Sequence, residues 1–187
     1  KFMEFQSTDF PGVWVLQPKV YEDSRGFFLE SYNQRLFAEQ DLDYNFVQDN
    51  HARSEQKSVL RGFHFQLPPK AQAKLIRVTA GAIYDVVIDL RVGSPTYAKN
   101  LAIKLDARDF KQLLVPKGFA HAYLTLDPGT EVQYKVDDFY DPQLEGGIFW
   151  NDPDLQIEWP LKNPILSEKD KNLPFWSELD NPFKFLK

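Results

Sequence analysis

The chain has 187 residues, a formal net charge of −5, 43% hydrophobic and 26% charged residues, which is the profile of one globular domain spanning 1–187. The acidic balance argues against broad nucleic-acid binding but leaves room for a local basic pocket. The absence of cysteine excludes disulfides, thiolate metal sites and a cysteine nucleophile. With no apolar run of about 18 residues and no signal-peptide pattern, a soluble cytoplasmic protein with no membrane partner is expected. Aromatic residues make up 15% and Phe leads them, which favours strands over helices.

In chain order, residues 13–21 predict a strand interrupted at Pro18, which lacks a ladder donor and belongs at an edge or a bulge. Asp23-Ser24-Arg25-Gly26 is a turn signature, followed by the apolar run Phe27-Phe28-Leu29 and then Glu30. Asn33 caps a short helix reaching Gln40, with Leu36 and Phe37 as its buried pair. Residues from about 1 to 45 thus read as N-terminal strands and a short helix. From Phe46 to about residue 150 the pattern turns mostly period-two, predicting strands at 74–79, 83–90, 101–105, 113–115, 121–126 and 131–136. Turn residues such as Gly93-Ser94-Pro95, Pro116-Lys117-Gly118 and Asp127-Pro128-Gly129 separate them. Many short strands at this spacing predict a mainly β jelly-roll sandwich or barrel with a few short helices, mostly C-terminal. From about 151 to 187, five prolines work against a long regular element. Trp159, Phe175, Trp176, Phe183 and Phe185 give this arm apolar surface to pack on the core, and Ser167 starts a short helical turn.

Three histidines limit proton chemistry near neutral pH, and His64 sits between two Phe rings in Leu60-Arg61-Gly62-Phe63-His64-Phe65-Gln66. If 61–66 is extended, Gly62, His64 and Gln66 share one face and Arg61, Phe63 and Phe65 the other. The imidazole is then either a packed core histidine or a base kept from bulk water. The Arg61 guanidinium suits a phosphate or a carboxylate. Lys74 opens a strand, where a solvated strand-end lysine is the plain reading. Tyr134 alternates in phase with Val132 and Val136, so its hydroxyl points inward and either meets a core partner or lines a cavity. Asp170 completes a Ser167-x-x-Asp170 capping-box pattern, which by itself assigns it only to the helix start. Glu145 reads as a loop residue, and Tyr140 beside Phe139 as part of a packed aromatic cluster.

A jelly roll raises the question of a metal site of the cupin type. Pro116-Lys117-Gly118-Phe119-Ala120-His121 matches the second half of that pattern, but His64-Phe65-Gln66 lacks the second imidazole of the first half. Two histidines without a suitably spaced carboxylate are a poor set for a transition metal, so none is expected.

Taken in order, these motifs and others resemble the dTDP-4-dehydrorhamnose 3,5-epimerase family, cofactor-free isomerases of the cupin jelly-roll type. The matching stretches are Asp23 to Glu30, Phe46 to His51, Leu60 to Gln66, Gln72 to Leu75, Pro116 to His121, Tyr134-Lys135, Glu145-Gly146, Trp150 to Asp152 and Leu166 to Asp170. The resemblance implies epimerisation at C3 and C5 of dTDP-4-dehydro-6-deoxy-D-glucose in dTDP-L-rhamnose biosynthesis; a single-centre epimerase on the same type of sugar is the alternative. It implies His64 as base, Asp170 as its orienting partner, Tyr134 as acid and Lys74 beside the C4 oxygen. Arg25, Glu30, Gln48, Asn50, Arg61, His121, Glu145 and Lys169 match substrate-binding positions, and Tyr140 matches an aromatic that stacks on thymine. No cofactor and a homodimer are also implied. Both C3 and C5 protons lie α to the ketone, so one base can remove either, and a donor near O4 must hold the enolate charge. Two departures stand out: Ala122 where the family has Gly, which would narrow the pocket, and Phe63 where Leu is common.

Overall fold

Alternating apolar side chains organise the chain into thirteen strands and two short α-helices in the computed structural model, which describes residues 2–187. The N-terminal part holds β1 (Met3–Ser7), β2 (Trp14–Pro18), β3 (Val20–Asp23), β4 (Gly26–Leu29) and α1 (Gln34–Ala38). The middle holds β5 (Gln48–Ser54), β6 (Leu60–Gln66), β7 (Lys74–Ala80), β8 (Ala82–Asp89), β9 (Asn100–Asp106) and β10 (Gln112–Val115). It continues through β11 (Phe119–Thr125), β12 (Thr130–Val136) and β13 (Glu145–Gly147), and α2 (Glu168–Lys171) lies in the tail. The six strands predicted between 74 and 136 are present, each end within two residues of its expected position.

Two antiparallel sheets face each other, ordered β1-β2-β10-β7-β12-β5 and β13-β6-β11-β8-β9. Strands distant in sequence lie side by side, β10 with β2 and β12 with β5, which is the long-return connectivity of a jelly roll. Pro18 sits at the end of β2 beyond the reach of β10, so its missing N–H removes no ladder bond on that side. At the head of α1 the Asn33 side chain accepts from the Arg35 N–H at 3.0 Å, the cap the sequence predicts. Phe37 is buried there, whereas Leu36 is only partly so.

Three apolar layers hold the sandwich. Between the sheets, Ile76, Val78 and Val132 meet Ile83, Val87 and Tyr123. Outside the first sheet, Leu16, Leu75 and Leu114 are covered by Met3 and Phe37. Outside the second, Phe63, Phe65, Val86 and Leu124 are covered by Trp150, Leu155 and Phe183 of the tail. Strand β11 is buried along its whole length as a consequence. Arg91 fastens the chain end, its guanidinium lying 4.6 Å from the Phe119 ring centroid and 4.9 Å from that of Phe185. Among the described residues no helix is long and apolar enough to cross a membrane. The ribbon β3–β4 stands apart from both sheets and exposes Phe27 and Phe28 at 61% and 67%.

Candidate active site

Strand β6 carries the centre of the site, and its register is broken where the chemistry-bearing residues lie. His121 pairs with His64 and Tyr123 with Arg61, so two residues of β6, Gly62 and Phe63, stand opposite the single Ala122. Such a bulge shifts the alternation by one residue. Arg61 therefore turns into the same cavity as His64, while Leu60, Phe63 and Phe65 join the tail-covered core. This corrects the expectation that Arg61 and His64 occupy opposite faces, which assumed an unbroken strand. Gly62 makes the bulge possible: its φ is +119°, and a Cβ there would lie 2.5 Å from the His121 carbonyl oxygen.

Asp170 closes on this bulge from α2. One carboxylate oxygen lies 2.6 Å from His64 Nε2 and the other accepts the Gly62 N–H at 3.0 Å. Ser167 Oγ accepts the Asp170 N–H at 3.1 Å, so the serine half of the capping box is present, while the Asp170 carboxylate is turned to β6 instead of its own helix. Burial pushes Asp170 up, but the His64 ring and the Gly62 N–H outweigh it and hold the carboxyl below its ordinary range. A carboxylate can only accept, so His64 Nε2 carries a proton, and in the neutral ring the free lone pair lies on Nδ1.

The cavity, about 490 Å³, lies between the sheets and is lined by Arg61, His64, Lys74, His121, Tyr123 and Tyr134, with Asp170 at its rim. His64 enters from the second sheet and Tyr134 from the first, so an imidazole and a phenol look at each other across the gap. Tyr134 thus lines a cavity, the second of its two sequence readings. Burial raises its pKa, partly opposed by the Asn50 amide and the Arg61 guanidinium, which keeps the phenol protonated. Lys74 Nζ lies 5.6 Å from the Tyr134 ring centroid. Burial pulls the Lys74 ammonium down to about 8, against the opposing influence of Asp85 and Glu145. Arg61 donates to Ser54 Oγ and the Arg53 carbonyl and meets no carboxylate among the described residues.

A narrower recess continues the cavity, lined by Asn50, Gln66, Gln72, Tyr140 and Glu145. Glu145 lies in β13 paired with Gln66, where the sequence suggested a loop. Its carboxylate accepts from Tyr140 Oη at 2.9 Å and from Lys169 Nζ at 2.5 Å. The Lys169 and Tyr140 bonds hold Glu145 below its ordinary range despite burial, which acts the other way. Gln48 donates to Asn50 and accepts the Tyr140 N–H at 3.1 Å. Tyr140 and Phe139 are both exposed, so they form no packed cluster; the Tyr140 ring is free to carry a flat ligand. Ala122 points away from the cavity into the tail-covered core, so it does not narrow the pocket. Phe63, the other departure, is buried there against Trp159.

Arg25 and Glu30 are not brought to this cavity. Arg25 pairs with Asp23 on the exposed ribbon, and Glu30 accepts from Asn33 beside a groove lined by Met3 and Phe5. Two residues escaped the sequence reading. Gln66 bonds the carbonyls of Lys70 and Phe139 and the Asp141 N–H, fixing the loop that bears Tyr140. Asp85 is fully buried and lies 2.5 Å from His121 Nε2. Its signal was a lone acid in the apolar run Ile83-Tyr84-Asp85-Val86-Val87. Among the described residues no group of three His, Asp or Glu side chains is disposed to hold a metal ion.

The sequence model of the dTDP-4-dehydrorhamnose 3,5-epimerase family matches residues 7–178. The Shigella flexneri dTDP-4-dehydrorhamnose 3,5-epimerase is 46% identical over 91% of this chain and 94% of its own length. The crystal structure of the Bacillus anthracis enzyme of the same description, with TDP and PPi bound, superposes with a TM-score of 0.90 at 48% identity, covering 92% of this chain and 99% of that one. That of the Legionella pneumophila dTDP-6-deoxy-D-glucose-3,5-epimerase in complex with dTDP-4-keto-L-rhamnose gives a TM-score of 0.93 at 37% identity, covering 99% and 100%. Matched along nearly its whole length in both sequence and fold, the chain belongs to the dTDP-4-dehydrorhamnose 3,5-epimerase family.

Proposed function

We propose that the cavity between the sheets inverts C3 and C5 of dTDP-4-dehydro-6-deoxy-D-glucose, giving dTDP-4-dehydro-L-rhamnose. The chain is an isomerase, and the observation that carries the reaction is the opposition of His64 and Tyr134 on facing sheets. His64 Nδ1 takes the proton from a carbon next to the ketone, and Asp170 stabilises the imidazolium that forms. The electrons move to O4, where the Lys74 ammonium offsets the enolate charge; loss of such a donor costs about 2.7–4 kcal/mol of barrier. Tyr134 returns a proton to the other face, which inverts the centre. The second centre follows by the same sequence once the imidazolium has released its proton to solvent and the tyrosinate has regained one, because both carbons flank one carbonyl. Arg61, exposed beside the cavity and without an acidic partner, suits the pyrophosphate. Asn50, His121, Glu145 and Lys169 line the path of the sugar nucleotide, and Tyr140 offers its ring to the thymine.

The working unit in this reading is a homodimer. Arg25 and Glu30, which match substrate-binding positions, lie away from the His64 cavity, on and next to a ribbon whose Tyr21, Phe27 and Phe28 are exposed. Apolar exposure of this kind marks an interface. Strand β5, at the end of its sheet, offers an edge on which a second copy's ribbon can add. Docked there, the ribbon carries Arg25 into the neighbouring cavity.

In D₂O, turnover is expected to place deuterium at both C3 and C5 of the product; labelling at one carbon marks a single-centre epimerase, and labelling at neither contradicts the reaction. His64→Ala should lower kcat by at least about 10²–10⁴-fold while dTDP binding persists. Mixing Arg25→Ala chains with His64→Ala chains should recover about a quarter of wild-type activity, because half the dimers are mixed and each then holds one complete cavity. No recovery places Arg25 in its own chain's site.

Lys74 carries a stability cost with a defined pH window. In the unfolded chain a lysine titrates near 10.4, so between pH 8 and that value the unfolded state binds more protons and stability rises with pH. Below pH 8 the folded protein bears the whole penalty. Lys74→Met should therefore stabilise the protein at pH 7 by on the order of 1–3 kcal/mol, with the advantage shrinking towards pH 10, as read from urea midpoints at one protein concentration. A less stable variant at pH 7 contradicts this account of the buried ammonium.

A further inference from the structure

We propose that Asp85 is a positioning residue for the ketone side of the reaction, anchoring His121 and balancing the Lys74 ammonium across the gap between the sheets. Asp85 projects from β8 between Ile83 and Val87, both in the core between the sheets, and is fully buried. One oxygen lies 2.5 Å from His121 Nε2, and the other has no hydrogen-bond partner among the described residues. A buried carboxylate with an unsatisfied oxygen is a poor packing element, since an apolar side chain of similar size serves that purpose better. Its placement makes sense beside cations, and the cavity that His121 lines also holds Lys74.

The surroundings of Lys74 support this. From β13 it faces Glu145, already engaged by Tyr140 and Lys169. From β12 it faces the Tyr134 phenol, and β6 contributes Arg61 and His64, with Asp170 spent on the His64 ring. On β11 are His121 and the buried Tyr123, which pairs directly with Asp85 across the strands. Asp85 thus adds a second buried carboxylate to this wall beside Asp170, neither of them in contact with a lysine or arginine, and its charge favours the Lys74 ammonium. His121, held through Nε2, lines the cavity with its ring anchored to β8.

The inference rests on the proposed role of Lys74 at O4, and its test separates the two. Asp85→Asn, an isosteric change, should lower kcat about tenfold near pH 8, leave KM within about threefold, and move the alkaline limb of the kcat profile to lower pH by about one unit. Deuterium should still enter at both C3 and C5, because His64 and Tyr134 are untouched; loss of exchange in wild-type protein would instead defeat the parent reading. Asp85→Glu should return the limb towards its wild-type position. An alkaline limb unmoved in Asp85→Asn overturns the proposal, since a purely structural role lowers stability without moving it. In the wild-type protein, which needs no variant, ¹⁵N-histidine spectra should show a slowly exchanging proton on His121 Nε2; its absence also overturns the anchoring.

Discussion

A buried carboxylate needs partners that offset its charge, because stripping one from such a group destabilises a fold by roughly 3–5 kcal/mol. Asp170 meets that condition by reaching out of its own helix to the Gly62 N–H and the His64 ring. The two bonds tie the C-terminal arm to the bulge in β6, so the docking of the tail and the tautomer of the base are one event. That explains why the arm is rich in large aromatic side chains. Trp150, Leu155 and Phe183 supply the apolar contact that holds the arm on the outer face of the second sheet, and α2 meets β6. Ser167 then caps the short helix in the orientation that points Asp170 inward.

The sandwich does the rest by geometry. Two sheets that face each other place side chains on opposite walls, and inversion of a carbon centre needs a proton taken from one wall and returned from the other. His64 and Tyr134 occupy those walls, and Lys74 opens β7 on the Tyr134 side. The low dielectric that packs Lys74 poorly as a cation also strengthens its field at a developing enolate. Stability lost at one buried ammonium is therefore the counterpart of transition-state stabilisation at the same atom.

Much of this was legible in the residues. The period-two runs from 74 to 136 placed six strands, since each alternates or is bounded by Gly and Pro turns that no other element tolerates. Tyr134 was placed inward by its phase with Val132 and Val136. Arg61 was not, because a bulge depends on how β6 meets β11 and leaves no mark beyond a glycine. Asp170 was ambiguous, since a capping pattern describes its neighbours and not where the second oxygen goes. Asp85 and Gln66 carried weak signals: one was an acid in an apolar strand, the other a glutamine on the His64 face that stood where a metal site would have a second imidazole. The ribbon at Phe27 and Phe28 reads as an apolar run that wants burial, yet within one chain it remains exposed. Sequence periodicity reports the need for cover without naming the molecule that provides it.

The central claim is that protons leave and arrive on opposite walls, and Tyr134→Phe in D₂O tests it most directly. With His64 and Asp170 intact, the substrate should exchange its C3 and C5 protons for deuterium while keeping its configuration, and inverted product should fall by about 10²–10⁴-fold. Inversion at an undiminished rate in Tyr134→Phe would contradict the account and place the second proton donor elsewhere.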